Sequence, residues 1–346
     1  MVGFYRYILA GFVIFSHLNF SHWSLFGIPI NQGVCAVFSF YIISGFFSAV
    51  IFDRFKREEG HDVLRFYVDR LLRILPLFWA VIFIISCINL VAYQPALGVT
   101  PGAYREFSSY VYALLQPLNG LIAYFYKGDF PFGPFFPSLP VVVSLALEVQ
   151  FMFILPLFVY LSTRHLLYVI ALSSILTIKA LIYGGPELEN YTYRYVIGLL
   201  PLFLCGLLLY RQVQNSAPQR VKLEYVGVIL GLVYLALLVA IRPESTEMLG
   251  ELSLALITCP LILKACLKKR SGKWDHLAGY LSYGIFLTHL PILRILNLPQ
   301  QSYLSMTVTL IVATALSVAL HLTVERPLLR MRHRMVLQEV KTIKLS

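Results

Sequence analysis

Ten long apolar stretches follow one another along the chain: Tyr7 to Phe26, Gly33 to Phe52, Ile74 to Tyr93, Ser138 to Leu161, Leu166 to Tyr183, Tyr193 to Tyr210, Leu223 to Ile241, Met248 to Leu267, Leu277 to Leu296 and Tyr303 to Val324. About 20 largely apolar residues of helix cross the roughly 30 Å of bilayer hydrocarbon. There a helix also satisfies its own backbone hydrogen bonds. The expected fold class is therefore all-α: a polytopic integral membrane helical bundle of about ten transmembrane helices. Hydrophobic residues are 58% of the chain and charged residues 13%, too few to coat the two soluble domains that 346 residues would otherwise form. Neither an internal repeat nor a low-complexity tract divides the chain, so residues 1–346 are expected to form a single domain. The first stretch lacks a sizeable basic n-region and a small-residue cleavage site, so it is expected to stay in the membrane.

The net charge of +11 would fit a nucleic-acid partner on a soluble chain. Here the connections between spans explain it. Arg6, the 53–73, 211–222 and 264–273 connections, Arg164 and the tail from Arg326 hold 22 of the 28 Lys and Arg residues, and the opposite set holds Arg105, Lys127, Arg194 and Arg242. Because cytoplasmic loops carry the excess of basic residues, both termini are expected in the cytoplasm, with membrane lipids and not nucleic acid as partners of the surplus charge. The basic tail runs over 325–346. The long external connection, 94–137, is crowded with Tyr and Phe, which fits an aromatic belt at the interface or a platform on which sugars stack.

Ionisable residues at membrane depth are costly and usually meet a partner or a cavity. His17 lies about ten residues into its stretch, roughly 15 Å deep, and His289 and Glu148 reach a similar depth, so the three are expected to share one layer. A lone histidine there can be a satisfied core residue. A histidine beside a carboxylate is the pair that moves protons near neutral pH. Arg6 and His17 are eleven residues apart, about 20° beyond three full turns, and so lie on one stripe of the first helix. Arg70 and Arg73 share a face at the start of the third span, as do His321 and Glu325 at the end of the tenth. The arginine pair fits either a pyrophosphate clamp or a topological anchor. His321 and Glu325 fit a structural ion pair.

Absences narrow the chemistry. There is no GxxxxGK[ST], HExxH or GxSxG pattern. The five cysteines, Cys35, Cys87, Cys205, Cys259 and Cys266, are odd in number and scattered through apolar stretches, so neither a disulfide framework nor a metal site is expected. Ten spans with ionisable groups at the midplane also fit a transporter or flippase for a polysaccharide precursor or small molecule, although no inverted repeat is visible.

The motif order resembles the membrane acyltransferase family 3 along nearly the whole chain. Arg6, ten residues, then His17 is similar to its R-X10-H feature, and Phe40-Tyr41-Ile42-Ile43-Ser44-Gly45-Phe46 to its FFxxSGF. The run Phe66 to Pro76 resembles FxxxRxxRIxP, Ser144 to Phe151 resembles WSLxxExxF, Ser282 to Pro291 resembles SYxxYLxH, and Glu325-Arg326-Pro327 resembles ExP. Val143 and Phe286 depart from a frequent Trp and Tyr, and the chain ends without the hydrolase-like domain that some members append, so it is expected to act alone.

The resemblance implies transfer of an acyl group, commonly acetyl, from acetyl-CoA as cosubstrate to a hydroxyl of an extracytoplasmic polysaccharide, oligosaccharide or glycolipid. Under it, Arg6, Arg70 and Arg73 hold the CoA phosphates and His17 is the general base. Glu148 orients the His17 imidazole or the acceptor, and His289 and Ser44 are substrate contacts. No permanently bound cofactor or metal is implied, and the setting is a bacterial inner membrane.

Overall fold

The computed structural model describes residues 1–19, 23–25, 28–57, 62–92, 140–183, 196–214, 222–241 and 248–330. The elements are α1 (Val2–His17), β1 (Trp23–Leu25), β2 (Ile28–Ile30), α2 (Gln32–Arg57), α3 (Asp62–Ala92), α4 (Pro140–Tyr160), α5 (Thr163–Tyr183), α6 (Val196–Gln214), α7 (Glu224–Ile241), α8 (Leu249–Leu267), α9 (Lys273–Ile295) and α10 (Tyr303–Leu320), the last continued by a π-helical turn, His321–Glu325. The aromatic connection 94–137 and residues 331–346 lie outside the described residues.

Gln32–Lys56, Val196–Gln214, Leu249–Leu267 and Tyr303–Arg330 are long and apolar enough to cross a membrane, and Val2–His17, Ser144–Tyr160 and Glu224–Ala240 are shorter apolar helices. Large apolar side chains such as Leu157, Ile229 and Ile311 point outward and are more than half exposed. Water would penalise such a surface, whereas lipid does not. The protein is a helical membrane protein. Pro76, Pro156, Pro201, Pro260 and Pro291 sit inside helices, where neighbouring helices and side chains accommodate the lost backbone donor.

Close helix contact depends on small residues. A Cβ on Gly45 would lie 2.0 Å from the Phe203 carbonyl oxygen, and one on Gly206 would lie 2.0 Å from that of Ile42, so α2 and α6 meet backbone to backbone. Gly3 brings α1 equally close to Asp275 at the start of α9. Around the α2–α6 contact, Phe203 stacks on Phe151 at 4.1 Å and meets Tyr41 at 4.9 Å between ring centroids.

The first span is corrected. It was expected from Tyr7 to Phe26, but α1 begins at Val2 and ends at His17, and the chain then forms an antiparallel hairpin pairing Trp23 with Ile30. Asn19 takes a φ of 53°, a left-handed conformation that asparagine tolerates and that stops a helix. At the other end the Asp275 carboxylate accepts the Phe4 N–H at 3.0 Å, satisfying one of the free donors of the first turn.

Candidate active site

Helices α1, α2, α3, α4 and α9 enclose a cavity of about 500 Å³, within the usual size of small-molecule sites. At one end its wall contains Val2, Ser271 and Asp275, where the start of α1 meets the α8–α9 connection. At the other end it reaches Phe40 and Phe286. Between them lie Arg6 from α1, Arg70 and Arg73 from α3, Glu148 from α4 and Ser44 from α2. The structure thus brings five of the seven anticipated site residues to one cavity.

The cations are not equivalent. Glu148 accepts a hydrogen bond from the Ser44 hydroxyl at 2.8 Å and one from Arg70 at 3.4 Å. Arg73 donates to Glu325 at 2.8 Å, and the other Glu325 oxygen meets His321 Nδ1 at 2.7 Å. The His321–Glu325 contact anticipated from the sequence is therefore present, widened to include Arg73, and both of its members lie on the π turn. Such turns put an extra residue into a helix and often shape functional sites. Arg73 also lies over the Tyr280 ring at 5.0 Å, and Tyr280 stacks on His321 at 4.9 Å. Arg6 lies within electrostatic reach of Arg70, Arg73, Glu148 and Glu325, and its buried Nε has no hydrogen-bond partner among the described residues.

Tyr280 and Tyr283 were not singled out as site residues, although Tyr280, Tyr283 and Phe286 recur every three positions and all line the cavity. That spacing marks one face of α9 and was the available signal. Tyr283 donates to the Ile74 carbonyl at 3.0 Å, tying α9 to α3 beside the arginines.

His17 and His289 sit apart from this cavity wall, and here the expected shared layer of His17, His289 and Glu148 is corrected. Ser16 packs against Gly33, so the end of α1 is level with the start of α2. Glu148 is bonded to Ser44, eleven residues further along α2, or about 16 Å of helix. Glu148 therefore does not orient the His17 imidazole. What His17 meets is His289, with ring centroids 5.2 Å apart and planes tilted by 35°. His289 is fully buried, and its Nδ1 lies 2.8 Å from the Phe286 carbonyl and 3.2 Å from that of Ile285. Its Nε2 has no hydrogen-bond partner among the described residues. The Phe286 ring, 6.2 Å from His289 and 5.9 Å from Phe40, stands between the histidines and the cavity.

With this geometry in place, comparison with known proteins adds a family assignment. A family model described as an acyltransferase domain matches residues 2–324. An uncharacterised protein of Aquifex aeolicus (strain VF5) is 26% identical over 208 residues, covering 57% of this chain and 91% of that protein. No solved structure matches.

Proposed function

Since the chain belongs to acyltransferase family 3, we propose that this membrane acyltransferase moves an acyl group, most simply acetyl, from acyl-CoA on the cytoplasmic side to a hydroxyl of an extracytoplasmic polysaccharide, oligosaccharide or glycolipid. In this reading the chain crosses a bacterial inner membrane about ten times with both termini in the cytoplasm. The observation that carries it is the convergence of Arg6, Arg70 and Arg73, from two helices, on one cavity whose Phe286 wall lies 6.2 Å from the His289 ring. Guanidinium groups supply forked, permanently charged donors, which suit the phosphates of a CoA donor.

The aromatic end of the cavity receives the thioester. His17 takes the proton of the acceptor hydroxyl as its oxygen attacks the thioester carbonyl. The C–O ester bond forms as the C–S bond breaks, and the CoA thiolate leaves toward the cytoplasm, where it gains a proton. Excluding water from the aromatic end limits hydrolysis of the thioester. Glu148 serves the donor side, holding Arg70 and Ser44, and its effect on His17 is indirect.

The test is O-acylation by purified protein given radiolabelled acetyl-CoA and candidate glycans, with wild type beside His17→Ala. The reading expects labelled ester from wild type alone. Equal product from the variant removes His17 as base. Acetyl-CoA neither bound nor consumed by wild type favours transport of a polysaccharide precursor instead.

A further inference from the structure

We propose that His289 positions the imidazole of His17 by accepting its hydrogen bond through Nε2, whereas the family resemblance had implied that Glu148 orients this imidazole or the acceptor. The inference rests on the reading of His17 as base.

The tautomer of His289 follows from its neighbours. Main-chain carbonyls only accept, so the nitrogen facing Phe286 and Ile285 carries the hydrogen. Nε2 then holds a lone pair, fully buried and without a donor among the described residues. Leaving a buried acceptor unsatisfied is costly, and a group used in the reaction explains that cost. The separation also fits. Two imidazoles joined nitrogen to nitrogen by a hydrogen bond of about 3 Å have centroids close to the observed 5.2 Å. A small rotation of His17, the less buried ring, brings one of its nitrogens onto His289 Nε2.

This arrangement sets the roles of both His17 nitrogens. One carries a hydrogen donated to His289, and the other holds the lone pair that takes the hydroxyl proton. His289 neither gains nor loses a proton in the step. Arg294, in the last turn of α9, lies within electrostatic reach of His17 and has the same sign as an imidazolium. Glu148 is out of range, so the neutral His289 acceptor is what holds the charged ring in place.

The experiment compares His289→Gln, His289→Asn and His289→Phe in the purified protein, with acetyl-CoA as donor and the glycan extract that wild type acylates as acceptor. The Gln carbonyl reaches about as far as Nε2, whereas the shorter Asn amide reaches only the Nδ1 position. The expected result is a kcat lowered about 100-fold in the Asn and Phe variants, an unchanged KM for acetyl-CoA, and a Gln variant within about tenfold of wild type. Equal kcat for Gln and Asn, wild-type kcat for Phe, or lost acetyl-CoA binding by the Asn variant overturns the proposal and leaves His289 a packing residue. Absence of transfer by wild type instead overturns the acyl-CoA reading, and this inference with it.

Discussion

Arg73 and Glu325 are joined at 2.8 Å between α3 and the π turn that ends α10, so Arg73, expected to clamp phosphate, already has a carboxylate partner, as Arg70 has in Glu148. Both side chains are largely buried, at 17% and 6% exposure. Removing the carboxylate leaves Arg73 and His321 without their shared acceptor. We expect Glu325→Ala to lower stability by about 3–5 kcal/mol, as for other broken buried pairs, and Glu325→Gln to lower it less because it keeps an acceptor in place. Thermal melts in detergent check this, and equal melting of Glu325→Ala and wild type contradicts it.

Arg6 differs from Arg73, which donates to Glu325, in having a buried Nε without a hydrogen-bond partner among the described residues. Under the proposed function a donor phosphate would fill that need. Loss of a charge-assisted hydrogen bond worth about 1.5–3 kcal/mol predicts that Arg6→Ala weakens acetyl-CoA binding by about 10- to 100-fold. Arg164→Ala serves as control, because Arg164 lies outside the cavity and donates to Tyr168 on the exposed face of α5. Calorimetric titration giving the same Kd for both variants removes Arg6 from the donor site.

The Phe40 and Phe286 rings, 5.9 Å apart, narrow the way from the arginines to the histidine pair. An acyl group must lie against them to meet His17, which favours a short one. Phe286→Ala is expected to raise kcat/KM for butyryl- or hexanoyl-CoA relative to acetyl-CoA by about tenfold, in line with roughly 1–3 kcal/mol for pocket contacts of this size. An unchanged chain-length preference in competition assays shows that the pair does not select.

Asp275 gives a pH signature outside the spans. Burial alone would raise its pKa, but hydrogen bonds from the Met1 ammonium, the Ser271 hydroxyl and the Phe4 N–H outweigh burial and pull it down to about 2. Its folded pKa is depressed, so its stabilising effect is full above the ordinary aspartate range near pH 4 and is lost as pH falls toward 2. Asp275→Asn should therefore melt below wild type at pH 7, with the gap closing between pH 4 and 2. A gap independent of pH in that window contradicts the ionised contact.

The helical class was legible because lipid leaves a chain few alternatives, and apolar length reports directly on it. The arginine side of the site was legible too: three-residue spacing placed Arg70 and Arg73 on one face, and both line the cavity with Arg6. Gly45, seen at first as a motif letter, has a physical reason in the Phe203 backbone against it. Depth was less legible. Counting residues from the start of a stretch put His17 at the midplane, but the limits of α1 depend on Asn19 and on Asp275, which is 271 residues away from the Phe4 amide it accepts. The partner of Glu148 was hidden for the same reason, since Ser44 and Arg70 reach it only through the packing of α2 and α3 on α4. Local periodicity carries no information about contacts of that kind.

On the proposed function, the chain acylates a surface glycan through His17. A mass comparison of surface glycans from cells with the gene, without it, and with His17→Ala in its place tests this directly. An ester-linked acyl increment present only with the wild-type gene is the predicted result, and it identifies the transferred group and acceptor together. Identical glycan masses in all three strains would contradict the account.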